Sequence, residues 1–497
     1  MVWWLVAGVC ICLPLLMGLS SSRTSSGPTA STIDFEIREL NLLWRVVRSG
    51  RNTIEAEHKR ERKAVSKELT AALDSSRDGH RTVLKELFER ALRADRNRQP
   101  DNKDDQIDSA GAGEMVIAHA IATEHDDIAL ELASQLAHTS EDLRVALMVA
   151  RPDKPKATPS RSTQRASEHA HASNFGITWS RFTRDRIRAR LHVKAGDLDL
   201  AREAHNRLHD NEDLVLATFR TLMLWLMCAG LFGLFSLVLI LVSKAAASKH
   251  PERPRLGFLR RFSGLGSASV YHTDPLVPWL GFATWVIGYL AAGTLIVSIT
   301  AGRGGGGLSA LFQSAAGIVL AWAVISAFSR VQPAIDAARL MGGTEVSPAR
   351  ASTAGLWGYC ALLPCMLPAL LIAQGLSSGD APGHPLVETV LKDADPVGLM
   401  SVGLAVIIAA PIGEELLFRG FLYRALRQHV KVPLALAMTG GLFAILHMSP
   451  AQWLPYTVLG VAFGWIYERV GSLWAPIVLH ALWNAVMYVG LVLVALS

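Results

Sequence analysis

The stretch SVGLAVIIAAPIGEELLFRGFLYRAL, residues 401–426, decides what kind of molecule this is. It is apolar enough to belong to a bilayer-crossing helix, which needs about 20 such residues. Yet Glu414, Glu415 and Arg419 sit inside it. On insertion scales each charge at the bilayer centre costs about 2.5–3.5 kcal/mol, so three together require partners or a function. Glu415 and Arg419 are spaced i, i+4 on one helical face and can pair. Glu414 is rotated by about 100° from its neighbour and has no partner on its own helix. An unpaired carboxylate in such a place is either protonated or engaged in chemistry.

The rest of the chain agrees with a membrane setting. Of 497 residues, 50% are hydrophobic and only 19% charged, against about 25% charged in ordinary soluble chains. Mean hydropathy is +0.27. A purely soluble enzyme is excluded. Charge is concentrated in residues 21–212, and candidate spans fall at 215–243, 275–298, 307–329, 352–374, 397–428, 433–448, 453–468 and 473–495. The expected fold is therefore all-α: a polytopic membrane helix bundle of about eight C-terminal spans. It is accompanied by an N-terminal hydrophobic segment and a helical region outside the cytoplasm. The domain expectation is 1–20 as signal peptide or anchor, 21–212 as the extracytoplasmic region, 213–394 as a first group of spans, and 395–497 as the catalytic membrane domain. The uncharged run at 2–19 fits either a short anchor or a cleaved signal.

Loop charge sets the orientation. Lys and Arg crowd the connections 244–261, 330–350 and 424–431, whereas 299–306 and 375–396 are poor in them. The positive-inside bias puts the basic connections in the cytoplasm and 21–212 on the opposite side. The same bias accounts for the pI near 9.1 without any nucleic acid partner. Cys10, Cys12, Cys228, Cys360 and Cys365 all lie in apolar stretches, with no CxxC pair, so neither a disulfide framework nor a zinc ribbon is expected.

Region 21–212 reads as amphipathic helices at 34–49, 53–73 and 80–98, with a Pro/Ser/Thr/Arg-rich linker at 151–167. Asp127–Glu131 (DIALE) is echoed by Asp199–Glu203 (DLARE), and Ala195-Gly196-Asp197 reads as a turn between helices. Repeats of that kind bind a protein partner or substrate; ordinary helices bind nothing in particular.

Two more apolar helices carry polar groups. Of sixteen histidines, only His447 and His480 fall in apolar helical runs, and Asn484 follows His480 at i, i+4. Counting from the basic turn at 424–431, Glu414 and His447 both come out roughly 21 Å along their helices, at 1.5 Å per residue. Asn484 comes out at roughly 18 Å from the next turn and His480 at about 12 Å, a mismatch that tilt or a kink at Pro476 could absorb. A carboxylate, two imidazoles and an amide at one depth form a hydrolytic set. Singly, each residue could be a helix-bridging hydrogen bond.

At these positions the chain resembles a known family. Glu414-Glu-Leu-Leu-Phe-Arg419 is similar to its EExxxR motif, Phe443-Ala-Ile-Leu-His447 to FxxxH, and His480-Ala-Leu-Trp-Asn484 to HxxxN. This is the CPBP family of intramembrane proteases, also called the ABI or CAAX-protease family, which includes the type II CAAX prenyl endopeptidases. The resemblance covers about 395–490. It implies Glu414 as general base with His447 orienting the water, and His480 and Asn484 as oxyanion donors. Glu415 and Arg419 would hold the helix and tune Glu414. Two His and a Glu could bind zinc, so Glu414, His447 and His480 are the metal ligands if a zinc is used, and no cofactor is required if it is not. HExxH, a rhomboid-like Gly-x-Ser-Gly and Gly-x-Gly-Asp are all absent. The substrate implied is a membrane-embedded or membrane-anchored protein or peptide within the lipid bilayer, in the plasma (inner) membrane if the source is bacterial. The same polar residues would also serve a transporter or proton relay, or persist in an inactive family scaffold.

Overall fold

The computed structural model describes residues 33–42, 44–45, 67–97, 111–136, 138–151, 160–171, 175, 179–249, 276–300, 306–331, 346–376, 389–390, 396–447, 449 and 452–496. The hydrophobic segment at 1–20, residues 53–66 of the helix expected at 53–73, residues 152–159 of the linker expected at 151–167, and residues 250–261 and 332–345 of the basic connections lie outside the described residues; 161–167 of that linker are instead helical, the start of the helix Arg161–His171. Every element among those described is helical. The chain divides into two compact units, one within Arg23–Thr221 and the other within Leu222–Val492.

The first unit contains α1 (33–42), α2 (Lys67–Asn97), α3 (Ala112–Ala122), α4 (Asp126–Ala133), α5 (Glu141–Ala150), α6 (Arg161–His171), α7 (Arg181–Ala195) and the start of α8 (Leu198–Lys249). Helix α3, AGEMVIAHAIA, is buried along its whole length and packs against α2, α4, α5 and α7. It carries Glu114 and His119 and is a third apolar helical run with a histidine, beside those of His447 and His480; a short, largely apolar helix of this kind belongs in a core. Asp95 caps it, its carboxylate accepting from the backbone N–H groups of Ala112 and Gly113 at 2.8 and 3.0 Å. Ser140 and Ser180 cap α5 and α7 in the same way. The Ala195-Gly196-Asp197 turn forms as expected: Gly196 takes a left-handed φ of 77° that ends α7. The break expected between 73 and 80 does not occur, because α2 runs on through it. No proline stands there, and Gly79 faces open space, so its cost to the helix is only about 1 kcal/mol.

The second unit continues α8 and adds α9 (Leu276–Thr300), α10 (Gly306–Val331), α11 (Pro348–Leu376), α12 (Pro396–Leu426), α13 (Val432–Leu446), α14 (Trp453–Val470) and α15 (Trp474–Ala495). Among the described residues, six helices are long and apolar enough to cross a membrane: Leu214–Val242, Trp279–Thr300, Gly307–Arg330, Pro348–Ala373, Pro396–Leu426 and Trp474–Ala495. The expected spans at 433–448 and 453–468 form helices α13 and α14, which fall short of that standard, α13 by length. The protein is a multi-pass integral membrane protein with a helical bundle. Leu231, Phe235, Ile287, Leu290, Leu295 and Val319 are exposed on the bundle's outside, where acyl chains solvate them.

Close approach of α13 and α14 rests on glycine. A Cβ on Gly460 would stand 2.7 Å from Gly440 Cα, and one on Gly464 would stand 2.7 Å from a Leu436 methyl. Gly460-Val-Ala-Phe-Gly464 is thus a small-xxx-small seam, in which backbone contact replaces the hydrophobic drive that lipid removes. Pro476 lies in the first turn of α15, where its missing N–H has no intrahelical partner to lose, so the kink considered above is not needed.

The first unit also buries a cluster of imidazoles. The rings of His80 and His125 are 4.6 Å apart and those of His80 and His119 are 5.6 Å apart. Burial, reinforced by the neighbouring imidazole of His125, pushes His80 down to about 4. Burial holds His119 well below the ordinary value, with His80 and His125 adding to the effect. The folded chain keeps His80 and His119 neutral, whereas the unfolded chain takes up protons near pH 6.5. Their contribution to stability is therefore complete above about pH 6.5 and is lost as pH falls toward 4, by about 1.4 kcal/mol per pH unit for each ring held neutral. Amide exchange across α3 in the full-length protein should accelerate between pH 6.5 and 4.5, and His119→Leu should flatten that dependence.

Candidate active site

Helix α12 is not a uniform α-helix. Two π-helical stretches, Ala405–Ala409 and Leu416–Tyr423, flank the α-helical turns Ala410–Glu415 that carry the two glutamates. Pro411 explains the first: it has no N–H to donate, and its ring crowds the preceding turn. The N–H of Ala410 is bonded to Ala405 O. Val406 O has thereby lost its α-helical donor, and the next residue along is the proline. Asn484 Nδ2 fills the gap, donating to Val406 O at 2.9 Å. Tyr488, one turn further along α15, donates its hydroxyl to Leu399 O. His480, Asn484 and Tyr488 therefore form one polar stripe at i, i+4, i+8 that holds α15 against α12. Tyr488 carries no motif, and its only sequence signal was that spacing.

The adjacent glutamates differ in kind. Glu415 is fully buried and accepts from Arg419 Nη1 at 2.8 Å and from His480 Nδ1 at 2.9 Å. Arg419, also fully buried, donates through Nη2 to Gly460 O at 2.7 Å across the glycine seam. Its guanidinium carbon lies 5.1–5.4 Å from the ring centres of Phe418, Phe443 and Phe463. Glu414 retains 27% of its side-chain exposure, and its Oε2 makes no hydrogen bond. His480 Nε2 lies 3.9 Å from that oxygen. His480 thus spans the two carboxylates, tied by one nitrogen to the locked glutamate and facing the accessible one with the other. Its ring is stacked on Phe463 at 4.5 Å, an interplanar angle of 19°.

His447 closes α13, with Nδ1 donating to Phe443 O at 2.7 Å. Phe443 separates it from His480, its ring centre 4.5 Å from the first imidazole and 5.8 Å from the second. Tyr456 lies flat against the other face of His447 at 4.2 Å. Both Tyr456 and Tyr289 are within electrostatic reach of Glu414.

The depth arithmetic differs from the structure at one residue: His480 sits beside both glutamates rather than shallower. The π-helical segment Leu416–Tyr423, between Glu415 and the basic turn at 424–431, supplies the reason. Its i→i+5 bonding puts more residues into each turn, so α12 advances less per residue than an α-helix. At the turn itself, Arg427 pairs with Glu468 at 3.0 Å and Tyr423 donates to the same carboxylate at 3.0 Å, bringing the ends of α12 and α14 together.

Glu414, His447 and His480 do not gather as a three-ligand set among the described residues. Phe443 lies between the two imidazole rings, its ring centre 4.5 Å from one and 5.8 Å from the other. These positions do not fit a zinc, and no step below is routed through one.

Residues 396–486 match the family model described as type II CAAX prenyl endopeptidase Rce1-like. Over 89 residues the chain is 30% identical to a Bacillus subtilis (strain 168) protein named "Putative membrane peptidase YdiL". That stretch is 17% of this chain and 36% of the relative, so the chain spans about a third of the length of the curated relative it matches. No solved structure matches the chain.

The contrast between the glutamates is measurable. Arg419→Met leaves the Glu415 carboxylate buried without its cation, which should destabilise the protein by about 3–5 kcal/mol. Glu414→Gln removes no hydrogen bond and should leave the thermal midpoint nearly unchanged. Thermal unfolding of both variants in detergent checks this.

Proposed function

We propose that this protein is an intramembrane endopeptidase of the CPBP type, carried by residues 396–486, which match the Rce1-like model, with Glu414 as its general base. The single observation that carries the reading is an unbonded Oε2 on the partly exposed Glu414 side chain, 3.9 Å from a His480 nitrogen. One water fits the chemistry of that pair. Glu414 takes a proton from it while the oxygen attacks the scissile carbonyl carbon. A C–O bond forms, and the carbonyl π electrons move onto oxygen. On collapse the C–N bond breaks, and the proton held by Glu414 passes to the leaving nitrogen, giving an acid and an amine. A well-placed base is worth about 10²–10⁴ in rate.

The remaining residues take roles that suit their bonds. Glu415 and Arg419 position His480 by fixing its Nδ1. With a proton on each ring nitrogen, His480 donates through Nε2, and Asn484 through its second N–H, to the developing oxyanion, each good donor being worth about 3–4 kcal/mol. His447, anchored through Nδ1, presents Nε2 to the water. No cofactor is assigned a role. The substrate is a membrane-embedded or membrane-anchored protein or peptide, because the site lies within helices that lipid surrounds. Region 21–212 lies on the extracytoplasmic side, on the charge bias of the connections, and is the candidate for binding a protein partner.

Protein reconstituted in liposomes with membrane-anchored peptides should generate new termini detectable by mass spectrometry. Glu414→Gln should lower the cleavage rate about 10²–10⁴-fold while the protein remains folded. Cleavage by Glu414→Gln at the wild-type rate would remove Glu414 from the reaction.

A further inference from the structure

The donors that the family motifs supply are largely committed. His480 Nδ1 is bonded to Glu415, His447 Nδ1 to Phe443 O, and one Asn484 N–H to Val406 O. Two other tyrosines of the unit spend their hydroxyls on structure, Tyr423 on Glu468 and Tyr488 on Leu399 O. Tyr456 does not. It stands in the first turn of α14, half-buried, its ring flat on His447 at 4.2 Å with an interplanar angle of 28°. Among the described residues it forms no hydrogen bond through its hydroxyl, and Glu414 is its charged neighbour. A phenol in that position touches a motif residue with its face and keeps its O–H available at the same site.

Tyr289 provides the contrast. It also lies near Glu414, but its ring stacks on Trp285 at 4.9 Å and fills the space a Cβ on Gly317 would need, 3.1 Å away. That is a wedge in the seam between α9 and α10, where Trp285 donates to Gly317 O at 3.0 Å.

We infer that the Tyr456 hydroxyl is a further catalytic donor, directing its O–H to the oxyanion formed at the scissile carbonyl, while its ring holds His447 in place. The inference rests on the endopeptidase reading above. The donor moves no proton: the hydrogen bond strengthens as negative charge gathers on the carbonyl oxygen and weakens again on collapse. The two halves of the side chain have separable tasks, and two substitutions separate them. Tyr456→Phe keeps the stacked ring and removes the O–H. Tyr456→Leu removes both.

The test uses full-length protein in liposomes, with wild type and Glu414→Gln run alongside. Tyr456→Phe should lose about 10²–10³-fold in kcat with KM and the thermal midpoint close to wild type, and its pH profile should keep the wild-type shape. Tyr456→Leu should lose at least as much and also change the pH profile, because His447 is no longer held. Wild-type kcat in Tyr456→Phe overturns the inference while leaving the endopeptidase reading intact. A wild-type protein that cleaves nothing, or a Glu414→Gln variant that cleaves like wild type, overturns the reading, and the inference falls with it.

Discussion

Everything in the membrane unit turns on a buried ion pair, Glu415 with Arg419, placed where water cannot help it. Taking two charges out of water carries a desolvation penalty of several kcal/mol per ion even after relaxation. The pair is tolerable because its remaining valences are used. Glu415 accepts a second hydrogen bond from His480, and Arg419 donates across to Gly460 O with three phenylalanine rings around its guanidinium. That last bond is possible because α13 and α14 meet backbone to backbone at Gly440 and Gly460. Four helices are therefore tied to one charge pair: α12 supplies it, α14 and α15 bind it, and α13 lets α14 come close enough.

A consequence of this wiring is that the two adjacent glutamates cannot share a role. The one whose oxygens are taken by arginine and histidine is an anchor. The one rotated away from it keeps an unbonded oxygen and some access. The π-helical segments on either side add to the division by widening the helix around the pair. Pro411 leaves Val406 O in need of a donor, which ties Asn484 to α12 and brings the polar stripe of α15 to the glutamates. Specificity of position here is bought with local irregularity, as is common where π-bulges occur.

Much of this was legible in the sequence. Glu414, Glu415 and Arg419 in an apolar run were anomalies on cost alone, and the i, i+4 spacing of Glu415 with Arg419 foretold their pairing. The spacing of His480 and Asn484 foretold a polar face. What was not legible depends on departures from ideal geometry or on contacts between helices. Uniform α-helical rise put His480 too shallow, since nothing in Leu416–Tyr423 announces a π-helix. Which glutamate would bond His480 cannot be read from one helix. Asn484 reads as a free donor until the orphaned Val406 carbonyl is seen, although Pro411 was its signal. Tyr456 and Tyr488 carry no motif, and only packing shows what their rings and hydroxyls touch. In the other unit, α2 ran through a polar stretch that reads as a break, because helix ends are set by capping and packing more than by polarity.

The central claim is that Glu415 fixes His480 through Nδ1 so that Nε2 faces Glu414. Nitrogen-15 NMR of histidine-labelled protein in lipid bilayers, with His480 assigned by its loss in His480→Gln, tests it most directly. The account predicts a His480 Nδ1 that carries a proton and loses its hydrogen-bond shift in Glu415→Leu. A bare Nδ1, with the ring's proton on Nε2, would contradict it.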